Sequence, residues 1–329
     1  SRKAKMIRHC MGMFSKKCPD YPYLRTIHVS PNDAISPILP HLIKQKERRE
    51  FLLRQYNFEN GIGLPLYTFA DKDYSTHIDS ILGLMNTKNQ IFYAGEPGFF
   101  KLNRETKIVI TYSSLLIMNY LKKLENLIKI KDLIIMPKAV EYAILKAYEH
   151  SESFDTRLFG TMAINEDGRP VFFKLTEEEK ANRLSFWKDI TLFIKTVRTI
   201  QLDKKLDIEE LQIMRELIGD ADLECISLAY KQKAILISDD LFVRRATNSF
   251  NKNIMSSNII PILLHTVDDA VELIDCLLLL SNGDYFILYS REVLNNLFDK
   301  ISQYPPIFSE DTIWGKTQMI LRNSLRLPA

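Results

Sequence analysis

Three short runs, Ile108-Val109-Ile110, Leu133-Ile134-Ile135-Met136 and Ala234-Ile235-Leu236-Ile237, carry no polar alternation. A strand with one wet face alternates apolar and polar residues, so uninterrupted runs rich in β-branched residues mark strands covered on both sides. The first two lead straight into helix signals. Ser113-Ser114 precedes apolar Leu115, Leu116, Met118 and Leu121, and Pro137 stands at its favoured first helical position. Strand and helix in this rhythm predict an α/β fold, a parallel sheet wrapped by helices, with the three runs as neighbouring strands.

Around this framework the chain reads as three parts. Residues 1–105 form an N-terminal module. It has a charge-dense helix over 31–58 capped by Asn32 or Asp33, a break at Gly61 to Pro65, a second helix at 75–88 and a short strand at Gln90 to Tyr93. Residues 106–265 form the α/β domain. An insertion near 158–175 reads as a β-hairpin, because Asp167-Gly168 supplies turn chemistry between Leu158–Ile164 and Val171–Leu175. Thr176 followed by Glu177-Glu178-Glu179 opens a helix predicted to reach about Ile200. Another helix runs from Asp207 to Ile218, and Ile259-Ile260-Pro261-Ile262 is expected to be the last strand. From Thr266 a helical C-terminal extension follows, broken at Asn282-Gly283.

At 329 residues, with 46% hydrophobic and 26% charged, the chain can bury a substantial core. No run approaches the ~18–20 apolar residues that span a bilayer, so no membrane partner is expected. Cys10, Cys18, Cys225 and Cys276 show no disulfide spacing, which points to a reduced, cytoplasmic setting. Cys225 and Cys276 fall in apolar helices as packed thiols. The chain begins at Ser1, as expected of a processed product or a piece of a longer protein with further domains. Charge is uneven: residues 1–30 hold seven Lys or Arg against Asp20 alone, although the whole chain is only +3. With Phe14, Tyr21 and Tyr23 interleaved, this segment is either a track for a phosphate backbone or a solvated terminus. His9, Cys10, Cys18 and His28 lack zinc-site spacing, and neither a phosphate-binding Gly-Lys loop nor a dinucleotide fingerprint is present.

The chemistry concentrates in Gly219-Asp220-Ala221-Asp222-Leu223-Glu224-Cys225-Ile226-Ser227-Leu228-Ala229 and in Ser238-Asp239-Asp240 with Arg244 and Arg245. Acids at helix starts often only cap, and Asp-Asp after a strand is often only a turn. Gathered at the ends of adjacent elements, however, carboxylates are how α/β folds hold divalent metals against phosphate. This layout resembles the PIN-domain nucleases, a family of metal-dependent RNases. The resemblance implies a PIN-like domain, RNA as partner, and Mg²⁺ or Mn²⁺ as cofactor. It carries the helix acid to Asp222 and the acids after the strand to Asp239 and Asp240, leaving open which of the two reaches metal. Asp220 and Glu224 are outer groups, and Arg244 and Arg245 are phosphate ligands.

Two family positions differ. Thr111 occupies the place of the acid after the first strand, although Ser113 and Leu115 match. Ala143 occupies the place of the acid in the helix after Pro137. Glu141 is the nearest metal-side candidate there, two residues and ~200° around the helix away. The implied function is metal-dependent endonucleolytic cleavage of single-stranded RNA. The alternative is a catalytically degenerate module that binds RNA or a protein partner, and a third reading makes every acid a structural cap.

Overall fold

The computed structural model describes residues 35–56, 64–70, 77–78, 80–81, 92–153, 160–165, 167–174, 176–202, 209–250, 253–283, 285–287 and 289–324. The basic first thirty residues, Asn32, Asp33, Gly61 to Gly63, most of the 75–88 helix and the four candidate zinc ligands lie outside these. In chain order the elements are α1 (Leu39–Tyr56), α2 (Leu66–Phe69), β1 (Phe92–Gly95), β2 (Ile108–Ile110), α3 (Tyr112–Tyr120), α4 (Leu124–Ile128), β3 (Ile134–Pro137) and α5 (Lys138–Ser153). Then come β4 (Gly160–Ile164), β5 (Pro170–Lys174), α6 (Glu177–Ile194), β6 (Arg198–Ile200), α7 (Glu209–Gln232), β7 (Ile235–Ile237), α8 (Leu241–Phe250) and β8 (Ser256–Ser257). The C-terminal part holds α9 (Ile260–Thr266), α10 (Ala270–Asn282), β9 (Tyr285–Ile287), α11 (Arg291–Ile301) and α12 (Ile313–Ser324).

The chain divides into two compact units, residues 1–50 with 159–175, and residues 51–158 with 176–329. In the first, β4 and β5 pair antiparallel from Gly160 opposite Lys174 to Ile164 opposite Pro170. Gly168 takes φ +77° at the turn, and the Asn165 side chain accepts from the Arg169 amide at 2.7 Å. Lys46 Nζ donates to the Asn165 carbonyl at 3.0 Å.

The second unit is built on a five-stranded, all-parallel sheet in the order β6-β3-β2-β7-β8. The three apolar runs are its centre, with β2 between β3 and β7, as their lack of alternation predicts. Ile108, Val109 and Ile110 are fully buried. Helix α7 packs along β2, β3 and β7, while α5 packs against α6 and α7. Trp187 of α6 lies 5.9 Å from Tyr112 at the start of α3.

Capping follows the sequence at α6, where Thr176 and Glu179 form a reciprocal capping box. Three elements differ from expectation. The helix after Thr176 ends at Ile194, and residues 198–200 add an edge strand to β3 instead. The Ile259–Ile262 run is helical: Pro261 sits in the first turn of α9, and the Asn258 side chain accepts from the Ile260 amide at 3.1 Å. Pro fits an opening turn but would remove a ladder donor inside a strand. The C-terminal region is not wholly helical, because β9 pairs in parallel with β1 as a separate two-stranded sheet.

Gly219 breaks α7 with φ 82° and ψ 168°, so a fresh helical segment begins at Asp220. That backbone region is essentially closed to residues with a Cβ, at a cost of ~1–3 kcal/mol. Gly219→Ala should therefore lower stability by about that amount in urea unfolding. An unchanged midpoint would mean the break does not need this conformation.

Candidate functional site

The parallel sheet brings distant segments together at one end, where β2 runs into α3 and β7 runs into α8. Thr111 caps α3 in an extended conformation, and its hydroxyl lies 3.0 Å from that of Ser113. Asp239 and Asp240 follow β7, and Asp222 approaches from the re-started half of α7. Thr111, Ser113, Asp222, Ser238, Asp239 and Asp240 are all buried.

Asp240 caps α8. Its Oδ1 accepts from the Phe242 and Val243 amides at 2.9 and 3.3 Å, the donors that a helix start leaves orphaned. Its Oδ2 accepts from the Leu66 amide at 2.7 Å. Asp239 is as fully engaged. Ser114 Oγ donates to Oδ2 at 2.5 Å, the Ile259 amide donates to Oδ1 at 3.3 Å, and the Tyr285 hydroxyl also donates to Oδ1. Asp222 differs. The Tyr112 amide donates to its carboxyl group, but Oδ1 is buried without a hydrogen-bond partner.

Burial and the neighbouring Asp240 charge hold the Asp222 carboxyl well above the usual carboxylate range, against the pull of the Tyr112 amide. Burial pushes Asp240 up to about 6, opposed by the amides of Leu66, Val243 and Phe242 and by Arg244. Burial also raises Asp239, opposed by Ser114, Tyr285, Ile259 and Arg244. His77, stacked on Tyr112 at 5.1 Å, is driven down to about 3 by burial and is neutral.

The remaining candidates lie elsewhere. Arg244 points inward: it is 5% exposed, its Nη1 donates to the Glu96 carbonyl at 2.7 Å, and its Nε and Nη2 have no acceptor. The resemblance makes Arg244 a phosphate ligand, but its guanidinium is buried and bonded to a backbone carbonyl. Arg245 is exposed. Glu141 pairs with Lys138 on its own helix at 3.2 Å, and it is not among the groups acting on Asp222 or Asp240. Ala143 is buried. Asp220 pairs with Arg215 at 2.7 Å. Cys225 and Cys276 are free, buried thiols, with Cys225 Sγ 3.7 Å from the Ile110 carbonyl. Leu66, Glu96 and Tyr285 are partners that sequence reasoning missed. Two of them act through the backbone, which leaves no trace in residue identity.

A Mg²⁺ or Mn²⁺ ion needs several oxygens that are free to coordinate. Each oxygen of Asp239 and of Asp240 already accepts at least one hydrogen bond from the protein, Thr111 brings no charge, and Asp222 offers one unpartnered oxygen. Among the described residues no group of three or more His, Cys, Asp or Glu is arranged to hold a metal. The donor set does not fit the ion.

A parallel five-stranded sheet with acids gathered at the ends of β7 and in the helix before it defines a PIN-type, nuclease-like fold. Residues 109–249 match the family model of the PIN domain associated with the TPR-GreAB-C-PIN system. Over this part the chain is similar to the PIN-domain family, which agrees with a PIN-like domain built on the five-stranded sheet. No curated protein and no solved structure matches it. No described helix is long and apolar enough to cross a membrane.

Because Asp222 and Asp240 are raised, the folded protein holds protons that the unfolded chain releases above pH ~4. The stability contributed by these groups is full below the unfolded value and declines as pH rises through the folded values. Asp222→Asn should remove much of that decline. The variant should exceed the parent by roughly 1–3 kcal/mol at pH 7.5, the scale of a buried uncompensated charge, and match it near pH 4. Urea unfolding at both pH values checks this. A less stable variant at pH 7.5 would mean that Asp222 is charged and held by a cation.

Proposed function

We propose that this chain is a catalytically degenerate PIN module that binds single-stranded RNA without cutting it. The observation that carries the reading is the engagement of the acids. Every oxygen of Asp239 and Asp240 accepts from a protein donor, and Thr111 and Ala143 stand where the family has acids. Two-metal phosphodiester cleavage needs several converging carboxylates free to take cations, and here a cation would compete with protein donors for all but one oxygen of the three aspartates. The RNA reading is supported by the nuclease-type fold and by charge outside the acid pocket. Residues 1–30 are strongly basic, and α1 carries Lys44, Lys46, Arg48, Arg49 and Arg54 against Glu47 and Glu50. In the other unit Arg245 is exposed on α8.

The family's description names a system with other parts, so we take the setting to be a longer parent protein with further domains, in the cytoplasm. The competing reading, a Mg²⁺- or Mn²⁺-dependent endoribonuclease using Asp222 with Asp239 or Asp240, draws on one observation. Asp222 keeps one unpartnered oxygen and is close enough to Asp240 to feel its charge.

Purified protein mixed with labelled single-stranded RNA should show no cleavage above background with either metal. It should retain the RNA, with affinity falling steeply between low and moderate salt because the contacts are to phosphate. Cleavage that Asp222→Asn abolishes would establish the nuclease instead. Absence of both cleavage and binding would leave a protein-interaction scaffold.

A further inference from the structure

Residues 92–100 lie outside the matched PIN region; Phe92, Ala94 and Phe100 are buried in the core, and three carbonyl groups of the segment accept from side chains within and beyond that region. Asn258 Nδ2 donates to the Gly95 carbonyl at 3.3 Å, Arg244 Nη1 donates to that of Glu96 at 2.7 Å, and His265 Nε2 donates to that of Phe100 at 2.9 Å. Among the described residues strand β1 pairs with the short β9 alone, where Phe92 stacks on Tyr285 at 5.0 Å. The approach is close. A Cβ on Gly95, already at φ +64°, would meet Leu241 Cδ1 at 2.8 Å and Arg244 Nη2 at 3.2 Å. One on Gly98 would meet the Ser256 carbonyl at 2.5 Å.

The closed arrangement leaves polar groups unmet beside it. Arg244 Nε and Nη2 and Ser257 Oγ are buried without partners. Ser257 Cβ lies 3.7 Å from where a Gly98 Cβ would stand. Groups deprived of water and given no protein partner oppose burial. Lifting the segment would hydrate all three atoms while the five-stranded sheet stays intact.

We propose that residues 92–100 form an openable strap, latched by the Glu96 carbonyl on Arg244, whose opening presents Arg244 beside Arg245 to a phosphate group of bound RNA. Two guanidiniums in one helical turn then replace one buried and one exposed. A guanidinium with unmet donors exchanges a single neutral carbonyl for charge-assisted bonds to phosphate oxygens. The opening itself stands apart from the RNA reading, whereas the role of Arg244 rests on it.

Native-state amide exchange on the full chain tests both parts. Without RNA, amides of 92–95 should exchange through an opening with much weaker denaturant dependence than those of 108–110 and 235–237. Arg244→Met should speed strap exchange about tenfold and leave the sheet unchanged. Gly95→Ala should do the same by strain if Arg244→Met folds poorly. Exchange of strap and sheet together, only through global unfolding, would overturn the strap. A single-stranded oligouridylate should raise strap exchange in the parent, and Arg244→Met should bind it several-fold more weakly. RNA bound with strap exchange unchanged would overturn the role of Arg244 while leaving RNA binding in place. No RNA bound at all would remove that role together with the RNA reading, and the RNA-free exchange would still decide the strap.

Discussion

A carboxylate taken out of water must find donors, a cation or a proton, and this constraint organises the centre of the molecule. Three aspartates are buried at the end of one parallel sheet, and each meets the demand differently. Asp240 takes backbone amides, two from the helix it caps and one from Leu66. Asp239 takes two hydroxyls and an amide. Asp222 receives the Tyr112 amide, feels the Asp240 charge and leaves one oxygen unmet, so burial favours its protonated form. The donors for the first two come from both sides of the PIN region. The same bonds that satisfy the acids therefore tie Leu66 and Tyr285 to the sheet.

That arrangement explains why fold and chemistry separate here. The fold needs apolar strands in parallel and helices that start beside their ends, and β2, β3 and β7 supply this from ordinary apolar residues. Catalysis by metal would need free carboxylate oxygens, which is a matter of what else is packed nearby. Thr111 shows the difference in one residue. Its backbone amide donates to the Ile237 carbonyl at 2.9 Å and keeps the β2–β7 junction, while its hydroxyl brings no charge to the pocket.

The strands, the hairpin and the capping box at Thr176 were legible because each is a local pattern with a local cause. Asp222, Asp239 and Asp240 came from the family resemblance, and the structure adds that Asp222 feels the Asp240 charge. What was not legible depends on partners distant in sequence. The Ile259–Ile262 run has strand composition, yet Asn258 and Asp239 satisfy its amides and Pro261 opens a helix. Arg244 is a charged residue on the first turn of α8, yet it is buried with its Nη1 on the Glu96 carbonyl, a partner far away in sequence. The strand at Tyr285–Ile287 exists because Phe92–Gly95 lies beside it, nearly two hundred positions earlier.

The burial of Arg244 also bears on the acids it faces. Its charge lowers both Asp239 and Asp240, and burial in turn lowers its own tendency to stay charged. Withdrawing it toward an external phosphate would leave two buried acids with backbone and hydroxyl donors alone, favouring their neutral forms. Strap, arginine and acids are thus one electrostatic unit: whatever moves the first changes the proton affinity of the last. A site with a resident divalent cation would not behave this way, because the ion's charge would outweigh that of a single guanidinium.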